Sequence, residues 1–176
     1  MKTGMTVPQI TFKYRVRDAS IGGDNPFRWQ DVTTDEIFSN KKVVVFSLPG
    51  AFTPTCSTMQ VPGFEAAYEE LKQNGVDEVY VLSVNDTFVM RKWMLDQNCT
   101  NIKFIPDGNG EFTRQMGMLV EKNNVGFGQR SWRYAMVVDN GVIEHWLEEP
   151  GRKDNNGPDP FEVSSAESVL AAIKGN

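Results

Sequence analysis

The run Val43-Val44-Val45-Phe46-Ser47-Leu48 constrains this chain more than any other stretch, because it is apolar almost without interruption and reads as a buried strand. It leads directly into Pro49-Gly50-Ala51-Phe52-Thr53-Pro54-Thr55-Cys56. Beyond the cysteine, Phe64, Ala67, Tyr68 and Leu71 recur at helical spacing and mark a core face. Cys56 is therefore predicted in the first turn of a helix that follows a buried strand. A thiol there meets unpaired backbone N–H groups and the positive end of the helix dipole, and both favour the thiolate. Pro62-Gly63 is expected to kink or delay that helix.

The rest of the chain alternates in the same manner. Gln9 to Val16 reads as an early strand, and Asp18 to Gln30, with Gly22-Gly23 and Asn25-Pro26, as a loop. Thr33-Thr34-Asp35-Glu36 has the form of a capping box before a short helix. Val79 to Val84 is a second buried strand. A helix is predicted from Thr87 to Gln97, then a strand from Ile102 to Ile105 closed by Pro106-Asp107-Gly108. Asn140-Gly141 between two apolar runs is a two-residue hairpin signal, and Ser164-Ser165-Ala166-Glu167 caps a last helix ending before Gly175. Residues 150 to 161, rich in Gly, Pro, Asn and Asp, are expected to form a mobile loop. A βαβαβ half followed by a hairpin and a helix predicts one α/β domain over residues 1–176. Its fold is thioredoxin-like, a central mixed β-sheet flanked by helices.

Charge and cysteine content narrow the function classes. A formal net charge of -5 disfavours a nucleic-acid partner, since no basic surface is left to displace counterions. No stretch approaches the length of a membrane span and no signal-peptide core begins the chain, so no membrane association is expected. Two cysteines in 176 residues do not make a disulfide framework; they point to a reducing compartment, and a cytoplasmic location is expected. No metal or cofactor site is predicted. Trp29, Trp93, Trp132 and Trp146 are expected as core or interface aromatics.

The spacing Pro49-x-x-x-Thr53-x-x-Cys56 after a strand resembles the peroxiredoxin active-site motif. Phe46 through Cys56 is similar to the type II branch that includes mammalian peroxiredoxin five. Ser83-Val84-Asn85-Asp86, Pro106 through Phe112, and Arg130-Ser131-Trp132-Arg133-Tyr134 extend the likeness over nearly the whole chain. The resemblance implies a thiol peroxidase acting on hydrogen peroxide and alkyl hydroperoxides, with Cys56 as peroxidatic nucleophile. It further implies Thr53 and Arg133 as peroxide binders, Pro49 as a shield over the sulfur, and a homodimer joined through the active-site end. These roles agree with the chemistry. A free thiol titrates near pH ~8.5, so a thiolate nucleophile needs a fixed cation and hydrogen bonds beside the helix dipole. A guanidinium stays charged and donates to several oxygens or sulfurs at once, whereas proline brings no backbone donor and an apolar ring. The apolar surroundings of Phe52 and Phe127 would admit alkyl hydroperoxides.

Cys99 matches no resolving-cysteine position of the family. The late loop from Gly157 to Ser165 and the strand Val79 to Val84 contain no cysteine, and the helix position used by bacterial thiol peroxidases falls nearer Met94. Cys99 is read as a structural thiol at a helix end. The resemblance then implies a one-Cys mechanism recycled by glutathione and glutaredoxin. Three other readings stay open: a redox sensor oxidised at Cys56, a thioredoxin-dependent two-Cys enzyme with Cys99 resolving, and a cysteine hydrolase pairing Cys56 with His145. Thr53 as a mere cap and Arg133 as a surface ion pair are the bland alternatives for the site residues.

Overall fold

The N-terminal strands β1 (Thr11–Arg17) and β2 (Phe27–Thr33) pair antiparallel, with Thr11 opposite Thr33 and Arg17 opposite Phe27. The computed structural model describes residues 2–175. The predicted loop is thus shorter than expected, because Phe27 to Gln30 already belongs to β2. Most of β2 is only partly covered, so its pairing rests on the backbone ladder and leaves no hydrophobic alternation to read. Thr33 caps α1 (Thr34–Phe38): its hydroxyl accepts from Glu36 N–H while the Glu36 carboxylate accepts from Thr33 N–H, completing the capping box.

β3 (Lys42–Ser47) carries the apolar run and leads to a π-helical turn, Cys56–Gln60, continued by α2 (Val61–Gln73). β4 (Glu78–Ser83), α3 (Thr87–Asp96) and β5 (Lys103–Pro106) follow. Three short elements escape sequence periodicity: α4 (Glu111–Gln115), β6 (Leu119–Glu121) and β7 (Gln129–Ser131). Each is too brief to repeat a pattern. β8 (Tyr134–Asp139) and β9 (Val142–Glu148) form the hairpin around Asn140-Gly141, both at positive φ as a type I′ turn requires. α5 (Ala166–Lys174) is capped by Ser165, whose hydroxyl accepts from Ser168 N–H, and closes at Gly175 in the left-handed region.

The main sheet has strand order β5-β4-β3-β8-β9. β3 is parallel to β4, β4 to β5, and β8 runs antiparallel to both β3 and β9, which is the mixed thioredoxin-like arrangement predicted. Because side chains alternate across a strand, β3 feeds two cores. Val43 and Val45 pack with Phe12, Phe38, Phe112, Met136 and Trp146 on one face. Val44 and Phe46 join Phe64, Leu71, Met90, Trp93 and Val169 on the other, beneath α2, α3 and α5. Cys56 belongs to this second core. Trp93, Trp132 and Trp146 are buried as expected, but Trp29 is exposed and meets Phe88 edge-on.

The segment predicted as mobile is tied down. Asp154 accepts from Glu121 N–H at 2.8 Å, Asn155 N–H donates to Glu121 O, and Asp159 reaches Arg133. Downstream, buried Glu149 accepts from the N–H groups of Glu162, Val163 and Ser164 and from the Ser164 hydroxyl. These long-range partners are what a composition-based reading of the loop lacked. No helix among the described residues is long and apolar enough to cross a membrane.

Candidate active site

The loop between β3 and the cysteine is held by main-chain contacts to the neighbouring strand. Leu48 N–H donates to Leu82 O, and Ala51 N–H donates to Asn85 Oδ1, itself fixed by the Ser83 hydroxyl at 2.6 Å. Phe52 sits at φ 67°, a left-handed conformation uncommon for a bulky residue, and brings the chain round sharply into the helix. Ser57 N–H then donates to Thr53 O at 3.0 Å, so helix geometry starts at Pro54 with Thr53 in the capping position. Proline suits the first helical position because its missing N–H would be unpaired there anyway. Cys56 therefore lies in the first turn, as predicted. At Cys56 the turn widens: Val61 N–H reaches back five residues to Cys56 O before the regular α-helix resumes around Pro62. Pro62 can donate no hydrogen bond into this turn, which accounts for the predicted delay.

The Cys56 sulfur is fully buried. The Thr53 hydroxyl lies 2.9 Å from Sγ and 2.7 Å from Gly50 O. It has one proton and two partners, so it can donate to the sulfur, or donate to Gly50 O while its lone pairs receive a proton. Arg133, in the short connection between β7 and β8, is 1% exposed, which rules out the surface-ion-pair reading. Its Nη1 is 3.5 Å from Sγ and also donates to Gln60 Oε1, while Nη2 donates to Asp159 Oδ2 at 2.7 Å. Burial alone would lower the guanidinium pKa, but the charges on Cys56 and Asp159 more than offset it and the group stays cationic. Its Nε–H is buried without a partner among the described residues.

Two further groups complete the surroundings, and sequence reasoning missed them. Arg130 donates from Nη1 to Pro49 O at 3.0 Å and from Nε to Phe127 O at 3.1 Å. Burial pulls its pKa down, and the Cys56 charge offsets this only in part. Its guanidinium passes so close to Gly50 that a Cβ there would lie 2.3 Å from Nη1, which explains the glycine. Gln60 is buried, accepts from Arg133 and donates from Nε2 to Ser164 O. Through Ser164 it connects the arginine to Glu149. The signals were faint: Arg130 flanks Arg133 in sequence, and Gln60 follows Cys56 by four residues.

A cleft of about 270 Å³ lies on the far side of Thr53 from the buried sulfur, lined by Pro49, Thr53, Phe127, Lys122 and Asp159 among others. Phe127 lines this cleft. Phe52 does not: it is half-exposed and packs toward Trp93 on the other side. His145 pairs with Val137 in the hairpin and makes no hydrogen bond to Cys56, whose polar partners are Thr53 and Arg133. That removes the geometric basis of the hydrolase reading. Cys99 is half-buried, and burial with nearby Glu65 pushes its thiol up to about 11. Among the described residues no cluster of His, Cys, Asp or Glu could hold a metal ion.

A mixed thioredoxin-like sheet that delivers a buried cysteine to a helix start, beside a buried arginine, defines a thiol-chemistry domain. The Redoxin family profile matches residues 2–170. A peroxiredoxin of Rhizobium etli is 60% identical over 168 residues, covering 96% of this chain and 94% of that one. The hybrid peroxiredoxin hyPrx5 of Haemophilus influenzae is 53% identical over 167 residues, covering 95% of this chain and 64% of its own length. Among solved structures, the Plasmodium falciparum antioxidant protein, a 1-Cys peroxiredoxin, superposes with a TM-score of 0.90 at 36% identity, covering 98% of this chain and 99% of that one. The chain belongs to the peroxiredoxin family, in its type II, peroxiredoxin-five-like branch, and the family's activity is that of a thiol-dependent peroxidase.

Proposed function

We propose that this protein is a one-Cys peroxidase for hydrogen peroxide and alkyl hydroperoxides, recycled by glutathione with glutaredoxin, acting as a single domain over the whole chain. The Cys56 thiolate attacks the terminal peroxide oxygen. The O–O bond breaks, an S–O bond forms and Cys56 becomes a sulfenic acid, while the departing alkoxide or hydroxide takes up the proton the thiol released. Arg133 faces both the thiolate and the leaving oxygen, Thr53 exchanges a proton with the peroxide, and Pro49 walls off water. Glutathione then condenses with the sulfenic acid to a mixed disulfide and water, and a second thiol releases Cys56.

The observation that carries the one-Cys reading is the state of Cys99. It is the only other cysteine of the chain, and a thiol held near a pKa of about 11 is almost wholly un-ionised at neutral pH and a poor resolving nucleophile. The 1-Cys relative of similar architecture supports the same reading. A reducing, cytoplasmic setting fits two cysteines that are both free. A homodimer through the active-site end fits the exposed apolar side chains of Phe52 and Met59 on either side of Cys56.

Intact-mass analysis after one equivalent of hydrogen peroxide tests the mechanism. A gain of about 16 Da confined to Cys56 is expected, followed by turnover with glutathione and glutaredoxin. A loss of about 2 Da linking Cys56 to Cys99, with turnover on thioredoxin alone, would replace this reading by the two-Cys one. Oxidation at Cys56 without multiple turnovers on either system would leave the sensor.

A further inference from the structure

A second cavity, of about 680 Å³, lies at the β5 edge of the main sheet, between that strand, the β1–β2 hairpin, α1 and α3. Its volume falls within the roughly 300–1,000 Å³ of small-molecule sites. Pro49, Thr53, Cys56, Arg130 and Arg133 take no part in its lining. The floor is apolar and aromatic: Ile37, Tyr80, Met94 and Ile102 are buried there, and Tyr14 stacks on Phe104 with ring centroids 5.5 Å apart. The Tyr14 hydroxyl donates to Phe104 O at 2.6 Å and so ties the hairpin to β5. Tyr80 is 8% exposed, yet its hydroxyl makes no hydrogen bond among the described residues. Burial and the Glu78 carboxylate push its pKa up to about 12, so it stays a donor at neutral pH.

Four cations line this cavity, Arg15 and Arg17 from β1, Arg91 from α3 and Lys103 from β5, against one carboxylate, Glu36. Lys103 is paired with Glu78 at 3.0 Å, and Glu36 completes the capping box of α1. The three arginines make neither an ion pair nor a side-chain hydrogen bond among the described residues. Exposed or half-exposed, they are hydrated and need no partner to be stable; placement is what sets them apart. Arg15 lies over the Trp29 ring at 5.3 Å and Arg91 over the Phe27 ring at 4.5 Å, so both guanidinium groups are propped on aromatic faces at the rim. On a chain of formal net charge -5, an apolar hollow edged by three unengaged guanidinium groups is complementary to an acidic head on an apolar body. We propose that this cavity binds a small amphipathic carboxylate, its apolar body against Tyr14, Tyr80 and Phe104 and its acid group among Arg15, Arg17 and Arg91. Glu36 and the Glu78 carboxylate beside Lys103 favour a singly charged head over a doubly charged phosphate. The inference does not depend on the chemistry at Cys56.

Titration of the isotope-labelled full chain with octanoate, octanol and octylamine, followed by amide NMR shifts, tests it. Octanoate is expected to bind saturably, with shifts centred on Tyr14, Arg15, Tyr80, Arg91 and Phe104, and about fivefold or more tightly than the neutral alcohol or the octylammonium cation. Arg17→Gln combined with Arg91→Gln is expected to weaken octanoate about fivefold to tenfold and to leave octanol within twofold. Both side chains are exposed, so the fold is kept, and the octanol arm controls for any general disturbance of the cavity. No saturable binding of octanoate, shifts confined to the Cys56 loop, equal affinity for octanoate and octanol, or an octanoate affinity unchanged within twofold in the double variant would each overturn the proposal.

Discussion

Replacing Arg133 by methionine removes the cation beside the sulfur while filling much of the same volume. With Nη1 at 3.5 Å from Sγ, an effective dielectric between about 20 and 40 gives an attraction of roughly 2–5 kcal/mol on the Coulomb scale. Part of that attraction acts equally on the resting thiolate and on the transition state, so not all of it appears in the rate. A loss of about 3–4 kcal/mol corresponds to a rate constant for oxidation by hydrogen peroxide lower by about 10²–10³, the range found when a fixed donor is removed from a charged transition state. Stability also suffers, because Gln60 Oε1 loses its donor inside the protein at a cost of about 1–3 kcal/mol. Asp159, by contrast, is 40% exposed in its side chain and rehydrates on losing its partner. Stopped-flow fluorescence is the assay, since the Trp93 indole donates to the Ser57 hydroxyl next to Cys56 at 2.9 Å and reports on that turn. Circular dichroism at the same temperature shows that the variant is folded. Arg133→Lys should fall between wild type and methionine, because an ammonium keeps the charge but cannot serve Sγ, Gln60 and Asp159 in one plane. A folded methionine variant oxidised within threefold of the wild-type rate would refute the argument that this charge drives the chemistry.

Three further outcomes follow from the same geometry. Gly50→Ala places a methyl group against the flexible end of Arg130; the melting temperature is expected to stay within about 2 °C while peroxide oxidation slows about threefold to tenfold as that guanidinium is displaced. Glu149→Gln puts an amide NH₂ where backbone N–H groups and the Ser164 hydroxyl now donate. About 2–3 kcal/mol of stability should be lost, with a melting-temperature drop of about 4–12 °C in calorimetry, and oxidation should slow as Ser164 and Gln60 cease to hold Arg133. Cys99 should be alkylated ever faster as pH rises, about tenfold per unit, without levelling off until about pH 11. Burial holds its proton on, so the reactive thiolate is depleted throughout the range below that value, and a plateau near pH 8 or 9 would contradict the assigned environment.

Much of this was written locally in the chain. The uninterrupted apolar stretch of β3 announced a strand covered on both faces, and Asn140-Gly141 announced its own turn, since both depend on neighbours one or two residues away. Cys56 was legible for the same reason, as one apolar strand and one helix start place it, whereas Pro49 and Thr53 drew their roles from the likeness of their spacing to a family motif. Arg133 became legible only through the likeness of Arg130 to Tyr134 to a family pattern, as nothing in that stretch reveals that it folds against Cys56, 77 residues earlier. Gln60, Asp159 and Glu149 were invisible. Their types suggest solvated surface, and only tertiary packing buries Gln60 and Glu149 or sets Asp159 on Arg133. The short strands β6 and β7 failed for a different reason, being too brief for any period to show.

The widened turn at Cys56 has a consequence for timing. A sulfur with no exposed surface can be reached by a molecule as small as hydrogen peroxide through minor breathing, but not by a tripeptide thiol or the cysteine of a partner protein. Reduction therefore waits for residues 56 to 60 to come away from the second core. The hydrogen-bond pattern there, one residue longer per turn than in α2, marks the segment where the helix is least committed to its ladder. The geometry therefore predicts two shapes of one short stretch in the cycle, closed for the oxidant and open for the reductant. At high thiol concentration the turnover rate will cease to depend on the thiol and will report the frequency with which that stretch opens.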